Sequence, residues 1–120
     1  MATGIGMNSQ GQLPADIDVL SVKKMQDSGE RFVLIDVREP EEFAIAALEG
    51  ALQVPMRTVP SRLADLEQHR GERIVVHCHH GGRSARVAQW LRDQGFEQVQ
   101  NMSGGIDAWS QQVDPSVPRY

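Results

Sequence analysis

The chain has 120 residues, 40% of them hydrophobic and 23% charged, with a formal net charge of −4. That length suits one domain with a real core, and the composition excludes a disordered or fibrous chain. The acidic balance argues against nucleic acid or an anionic membrane as the partner, yet a small anionic substrate still fits where Arg83 and Arg86 concentrate positive charge.

Residues 1–12 are rich in Gly, Ser, Asn and Gln and are expected to be a mobile tail ahead of a domain over 13–113. They carry no basic n-region followed by an apolar h-region, so they do not read as a secretory signal. No apolar run reaches the length of a membrane span, and the cytoplasm is the expected compartment. After a short apolar stretch at Ile17, Val19 and Leu20, Ser21 is read as the cap of a helix through Val22 and Met25, stopped by Gly29. The continuous run Phe32–Asp36 predicts a strand buried on both faces. Pro40 and the carboxylates of Glu41 and Glu42 predict a short helix start.

Residues 51–54 predict a strand closed by Pro55, and Pro60 opens a third helix with Leu63 and Leu66 on one face. Ile74–Val76 is the next buried strand. Ser84 is read as the cap of a fourth helix with the apolar stripe Val87, Ala88, Trp90 and Leu91, and Gly95 as its C-terminal stop. Val99 marks a last strand, and Gly104-Gly105 lead into a final helix containing Trp109; both tryptophans are expected in the core. Residues 114–120 carry two prolines and read as a tail. Strands alternating with helices predict an α/β fold with a mostly parallel sheet covered on both faces. The active site of such a sheet lies beyond the carboxyl ends of its strands, where Asp36 and Cys78 would meet.

Cys78 is the only cysteine, so no disulfide can form within the chain. A lone cysteine after a buried strand is most often a small core hydrophobe. Here it is followed by His79-His80-Gly81-Gly82-Arg83-Ser84, too many glycines and polar residues for a core site. A strand ending on the thiol and a helix starting just after it put loop N–H groups and a helix N-terminus around the sulfur. The expectation is a nucleophilic Cys78 with a lowered pKa, suited to a reducing compartment. The contiguous His77-Cys78-His79-His80 run also suggests a metal. Neighbouring side chains diverge, and the spacing fits no zinc pattern, so no metal site is expected. His79 and His80 read as residues of the pocket mouth or as solvated polar filler.

Four segments together resemble the rhodanese-like sulfurtransferase family. They are Cys78–Ser84 after Val75-Val76-His77, Leu34–Glu39 with Glu42-Phe43, Gly50-Ala51 with Val54-Pro55, and Gly104-Gly105 with Ala108-Trp109. The resemblance covers about residues 16–110. It implies a three-layer sandwich with a five-stranded sheet, and a sulfur-carrying cysteine at Cys78. It also implies transfer of sulfane sulfur from a donor such as thiosulfate to cyanide or a thiol through a persulfide, with no cofactor. On that resemblance Arg83 holds an anionic donor, or forms an ion pair with Asp36 or a nearby glutamate. Gly81 and Gly82, without a Cβ, let the loop turn tightly and approach a ligand closely, and Ser84 can also donate to a substrate oxygen or sulfur. Asp36 and Arg38, which match the family's Asp-x-Arg, are expected to orient the loops at the strand ends. A sulfur-relay protein is a further partner that the resemblance allows.

One segment departs from the family pattern, with Ala47 where a histidine often stands and Glu49 where a proline does. Two other functions stay open at this stage. One is a phosphatase or arsenate reductase on the same fold, against which only four residues separate Cys78 from Arg83. The other is a non-catalytic persulfide carrier or binding module.

Overall fold

A computed structural model describes residues 13–120; the expected tail at 1–12 lies outside the described residues. In chain order the elements are β1 (Asp16–Ile17), α1 (Val19–Asp27), β2 (Val33–Asp36), α2 (Pro40–Ile45), β3 (Leu52–Gln53), α3 (Leu63–Leu66), β4 (Ile74–His77), α4 (Gly82–Asp93), β5 (Val99–Met102) and α5 (Gly105–Gln112). The five strands form one sheet in the order β1-β5-β4-β2-β3, with every neighbouring pair parallel. This is the α/β layering that the strand–helix rhythm predicts.

The period of two along β4 separates the two halves of the core. Ile74, Val76 and Cys78 pack with Val87, Ala88, Leu91 and Phe96 on the α4 side. Val75 packs with Val19, Val22, Ile106 and Trp109 on the other side. All four residues of β4 are buried, as a central strand between two helical layers requires. Trp109 is buried as expected, while Trp90 packs only partly against the α4-side core.

Local boundaries differ from the sequence expectation for identifiable reasons. Helix α1 starts at Val19 because Asp18 caps it: its Oδ1 accepts the Ser21 N–H at 2.7 Å. Ser21 therefore supplies a first-turn donor, and Val19, nearly inaccessible in the core, is already helical. The third helix is one short α turn between 3₁₀ turns at Pro60–Arg62 and Glu67–His69. Helix α4 begins at Gly82 with Gly81 as its N-cap at φ +111°, which leaves Ser84 inside the first turn.

The segment 114–120, expected as a tail, is fastened to the domain. Ser110 Oγ donates to the Val117 carbonyl at 2.7 Å, and Val117 packs against the core. Arg119 pairs with Asp107 of α5 at 2.9 Å, and Tyr120 reaches α2. Prolines at 115 and 118 prevent regular structure here, but they do not prevent docking.

Candidate active site

The parallel register brings Asp36 of β2 beside His77 of β4, and Cys78 follows immediately at the carboxyl edge of the sheet. Cys78 is 1% exposed. The loop after it curls so tightly that three donors reach the sulfur. Gly81 N–H lies 3.1 Å from Sγ, Ser84 N–H 3.4 Å, and Ser84 Oγ 3.3 Å. Both N–H groups belong to the start of the twelve-residue α4, where the first-turn amides have no carbonyl partners of their own. Negative charge on the sulfur is thereby stabilised by hydrogen bonds and by the helix dipole together.

Ser84 has a single hydroxyl hydrogen and three neighbouring acceptors: Sγ, the Gly81 carbonyl and Asn101 Oδ1. When Asn101 takes that hydrogen, Oγ can accept from a protonated thiol. When the sulfur is an anion, the hydroxyl can turn toward it. Asn101 is fixed in turn by Asp16, whose Oδ1 accepts from Nδ2 at 3.0 Å. Sequence reasoning passed over Asn101, because its contact with Ser84 spans 17 positions and two elements.

The floor of the loop is α5. Ile106 N–H donates to the Cys78 carbonyl at 2.9 Å, and Asp107 N–H to the His79 carbonyl at 3.1 Å. This approach is possible only because residue 105 is glycine. Its φ is +61°, and a Cβ there would overlap the carbonyl oxygens of Cys78 and His79. The Gly104-Gly105 pair thus serves the cysteine loop as well as the start of a helix.

Asp36 and Arg38 form a fully buried pair. Asp36 Oδ2 accepts from Arg38 Nη2 at 2.7 Å, and Oδ1 accepts from both the backbone N–H and Nε of Arg38 at 3.0 Å. Arg38 then donates to the carbonyls of Glu42 and Ala46, at 3.3 and 2.6 Å. The segment that departs from the family pattern at Ala47 is therefore held by Arg38. His77 is buried beside this pair, with Nε2 3.7 Å from Asp36. Burial keeps its pKa below the usual histidine value despite the neighbouring carboxylate.

Arg83 pairs with Glu42 and not with Asp36. Two bonds of 2.7 and 2.9 Å join the guanidinium to both carboxylate oxygens. Those bonds hold the Glu42 carboxyl down at about 2. Arg83 still interacts with the charge of Cys78, which helps to raise its own pKa. The histidines of the loop diverge: His77 lies in the core, His79 is half-buried, and His80 is exposed with Nδ1 3.9 Å from Asp107. The His79 ring stacks on Tyr120, with centroids 3.9 Å apart and planes within 6°. Among the described residues no group of histidine, cysteine and carboxylates is arranged to hold a metal ion.

The family described as Rhodanese-like domain matches residues 18–112. The chain is 45% identical over 101 residues to the rhodanese-like/PpiC domain-containing protein 12, chloroplastic, of Arabidopsis thaliana, covering 81% of this chain and 34% of that protein. It is 34% identical over 102 residues to a sulfurtransferase of Allochromatium vinosum, covering 85% of this chain and 94% of that protein. A crystal structure of a rhodanese-like domain protein from Staphylococcus aureus superposes with a TM-score of 0.76 at 27% identity, over 89% of this chain and 99% of that one. The chain spans about a quarter to a third of the length of several plant relatives that it matches.

Proposed function

The chain belongs to the rhodanese-like domain family, whose members include sulfurtransferases, and on that premise we propose that it moves sulfane sulfur through a persulfide on Cys78. The observation that carries this reading is the convergence of Gly81 N–H, Ser84 N–H and the Ser84 hydroxyl on one buried sulfur. A structural cysteine needs no such donors.

In the first half-reaction the Cys78 thiolate attacks the outer sulfur of a donor such as thiosulfate. The S–S bond of the donor breaks, its electron pair leaves with sulfite, and Cys78 becomes a persulfide anion. The donors that stabilise the thiolate stabilise this anion too. In the second, cyanide or a thiolate attacks the terminal sulfur and takes it, and the electron pair returns to Cys78. Two such half-reactions give ping-pong kinetics.

Arg83, whose charge interacts with Cys78, meets the anionic end of a donor with the N–H groups that its pair with Glu42 leaves over, by charge-assisted hydrogen bonds. Gly81, Gly82 and Ser84 shape the cradle, His79 and His80 border its mouth, and Asp36 with Arg38 brace it from below. The proposed partners are a small anionic sulfur donor and a thiol or cyanide acceptor, with a sulfur-relay protein as a further acceptor. The reaction as written needs no cofactor. The cytoplasm, which keeps a lone thiol reduced, is the proposed compartment. Among the described residues no helix is long and apolar enough to cross a membrane.

The test is intact-protein mass after incubation with thiosulfate, for the wild type and Cys78→Ser. The expected result is a gain of one sulfur atom in the wild type only, removed by cyanide with formation of thiocyanate. No gain with thiosulfate or with a desulfurase donor would remove the proposal and turn attention to aryl phosphate hydrolysis.

A further inference from the structure

The residue that must react, Cys78, is 1% exposed, so the groups around its mouth decide what reaches it. One of those groups comes from outside the loop and outside the sequence motifs. Tyr120 lies across the two flanks of the site. On one flank its ring stacks on His79, the residue directly after Cys78. On the other its hydroxyl donates to Glu42 Oε1 at 2.9 Å and accepts from Arg38 Nη1 at 2.8 Å. Glu42 is the carboxylate that holds Arg83 at the far end of the same loop. Tyr120 therefore connects the first residue after the nucleophile to the arginine that closes the loop.

The approach to Tyr120 is anchored as well. Arg119 binds Asp107 of α5 at 2.9 and 3.3 Å, and the Val117 carbonyl accepts from Ser110. The His79 ring that stacks on Tyr120 is also met by the His80 ring, tilted by 33° with centroids 4.0 Å apart. An exposed tyrosine with both parts of its chemistry used, ring and hydroxyl, is not filler.

We infer that Tyr120 is a specificity-determining residue of the Cys78 site, a bar across its mouth that admits small sulfur donors and acceptors and holds back bulky ones. This deepens the sulfurtransferase reading and rests on it for the identity of the substrates. Small anions such as thiosulfate or cyanide pass beside the ring. A peptide persulfide or a protein thiol requires the His79 stack and the Glu42 bond to open first.

The test compares wild type, Tyr120→Ala and Tyr120→Phe by the rate of Cys78 alkylation with iodoacetamide and with a bulky maleimide. The expected result is a rise of about tenfold in the maleimide-to-iodoacetamide ratio for Tyr120→Ala, as both the stack and the hydrogen bonds are lost. Tyr120→Phe keeps the ring and loses the hydroxyl, and its ratio is expected between the two. A ratio for Tyr120→Ala within about twofold of wild type overturns the inference, since a latch of one stack and two hydrogen bonds is worth more than that. Should Tyr120→Ala lose its cooperative thermal transition, Tyr120→Phe decides: a rise of about threefold supports the bar and no rise overturns it. The second readout is kcat/KM with glutathione persulfide relative to thiosulfate, expected to rise in Tyr120→Ala. Alkylation does not depend on sulfur transfer. An altered alkylation ratio in a protein that never gains sulfur would therefore fault the proposed function and leave the bar standing.

Discussion

Glu42 and Arg83 stand 41 positions apart, yet both carboxylate oxygens of the one meet both terminal nitrogens of the other. An anion arriving at Cys78 therefore encounters a guanidinium that is already neutralised. Glu42→Gln keeps the shape and removes the negative charge. The rate of Cys78 alkylation by anionic iodoacetate, relative to neutral iodoacetamide, is expected to rise about three- to tenfold. An unchanged ratio would mean that Arg83 exerts no field at the sulfur.

The same pair and His77 give the fold an acid-sensitive limb. Glu42 titrates at about 2 in the folded chain against its ordinary value of 4.5, so its contribution is complete above pH 4.5 and fades as pH falls toward 2. After allowance for partial solvent screening this is worth about 1–2 kcal/mol. His77 is kept neutral by burial, so below its ordinary value of 6.5 the unfolded chain takes up a proton that the folded chain resists. Both effects lower stability on acidification. The urea midpoint is expected to fall steadily below pH 6.5, and Glu42→Gln to flatten the part below pH 4.5. A midpoint that rises on acidification would contradict both assignments.

Gly105→Ala places a Cβ against the carbonyl oxygens of Cys78 and His79, at a φ of +61° that alanine resists. The expected cost is about 2–4 kcal/mol. Gly71→Ala is the control: nothing lies within 4 Å of its Cβ position, and its φ is not in the positive range. Urea unfolding of the two variants measures the difference, and equal midpoints would deny the close approach of α5 to the cysteine loop.

Asp36→Ala leaves the Arg38 guanidinium buried without its carboxylate. Breaking a fully buried pair from one side costs about 3–5 kcal/mol. Thermal unfolding should show the variant among the least stable single substitutions in the chain. A small shift would show that water enters beside Arg38 when the carboxylate is gone.

Much of the architecture was legible because its signals are local. The apolar runs at 33–35 and 74–76 and the glycines and prolines between them mark strands and their ends without reference to the rest of the chain. Cys78 stood out for the same reason, since its loop and its helix are contiguous. Ser84 is not the cap expected of it, since Gly81 holds that place; its contact with Sγ is local, but its contact with Asn101 depends on a strand that comes later. Asp18 and Ser21 are both good capping types, and only the burial of Val19 decides between them. The link from Tyr120 to Arg38 spans 82 positions, and no periodicity carries information across that distance.

Among the described residues strand β1 pairs only with β5, with Asp16 and Asn101 in register 85 positions apart. In order of synthesis, β5 is the last strand of the sheet to be made. While the chain emerges, β2, β3 and β4 can already associate, but β1 and the side of β4 that will receive β5 remain open. Parallel pairings of such long reach form late because loop closure must come first. Completion of the sheet and placement of Asn101 behind Ser84 are thus one event. A nascent chain that holds the cysteine loop but lacks β5 has a nucleophile without its backing.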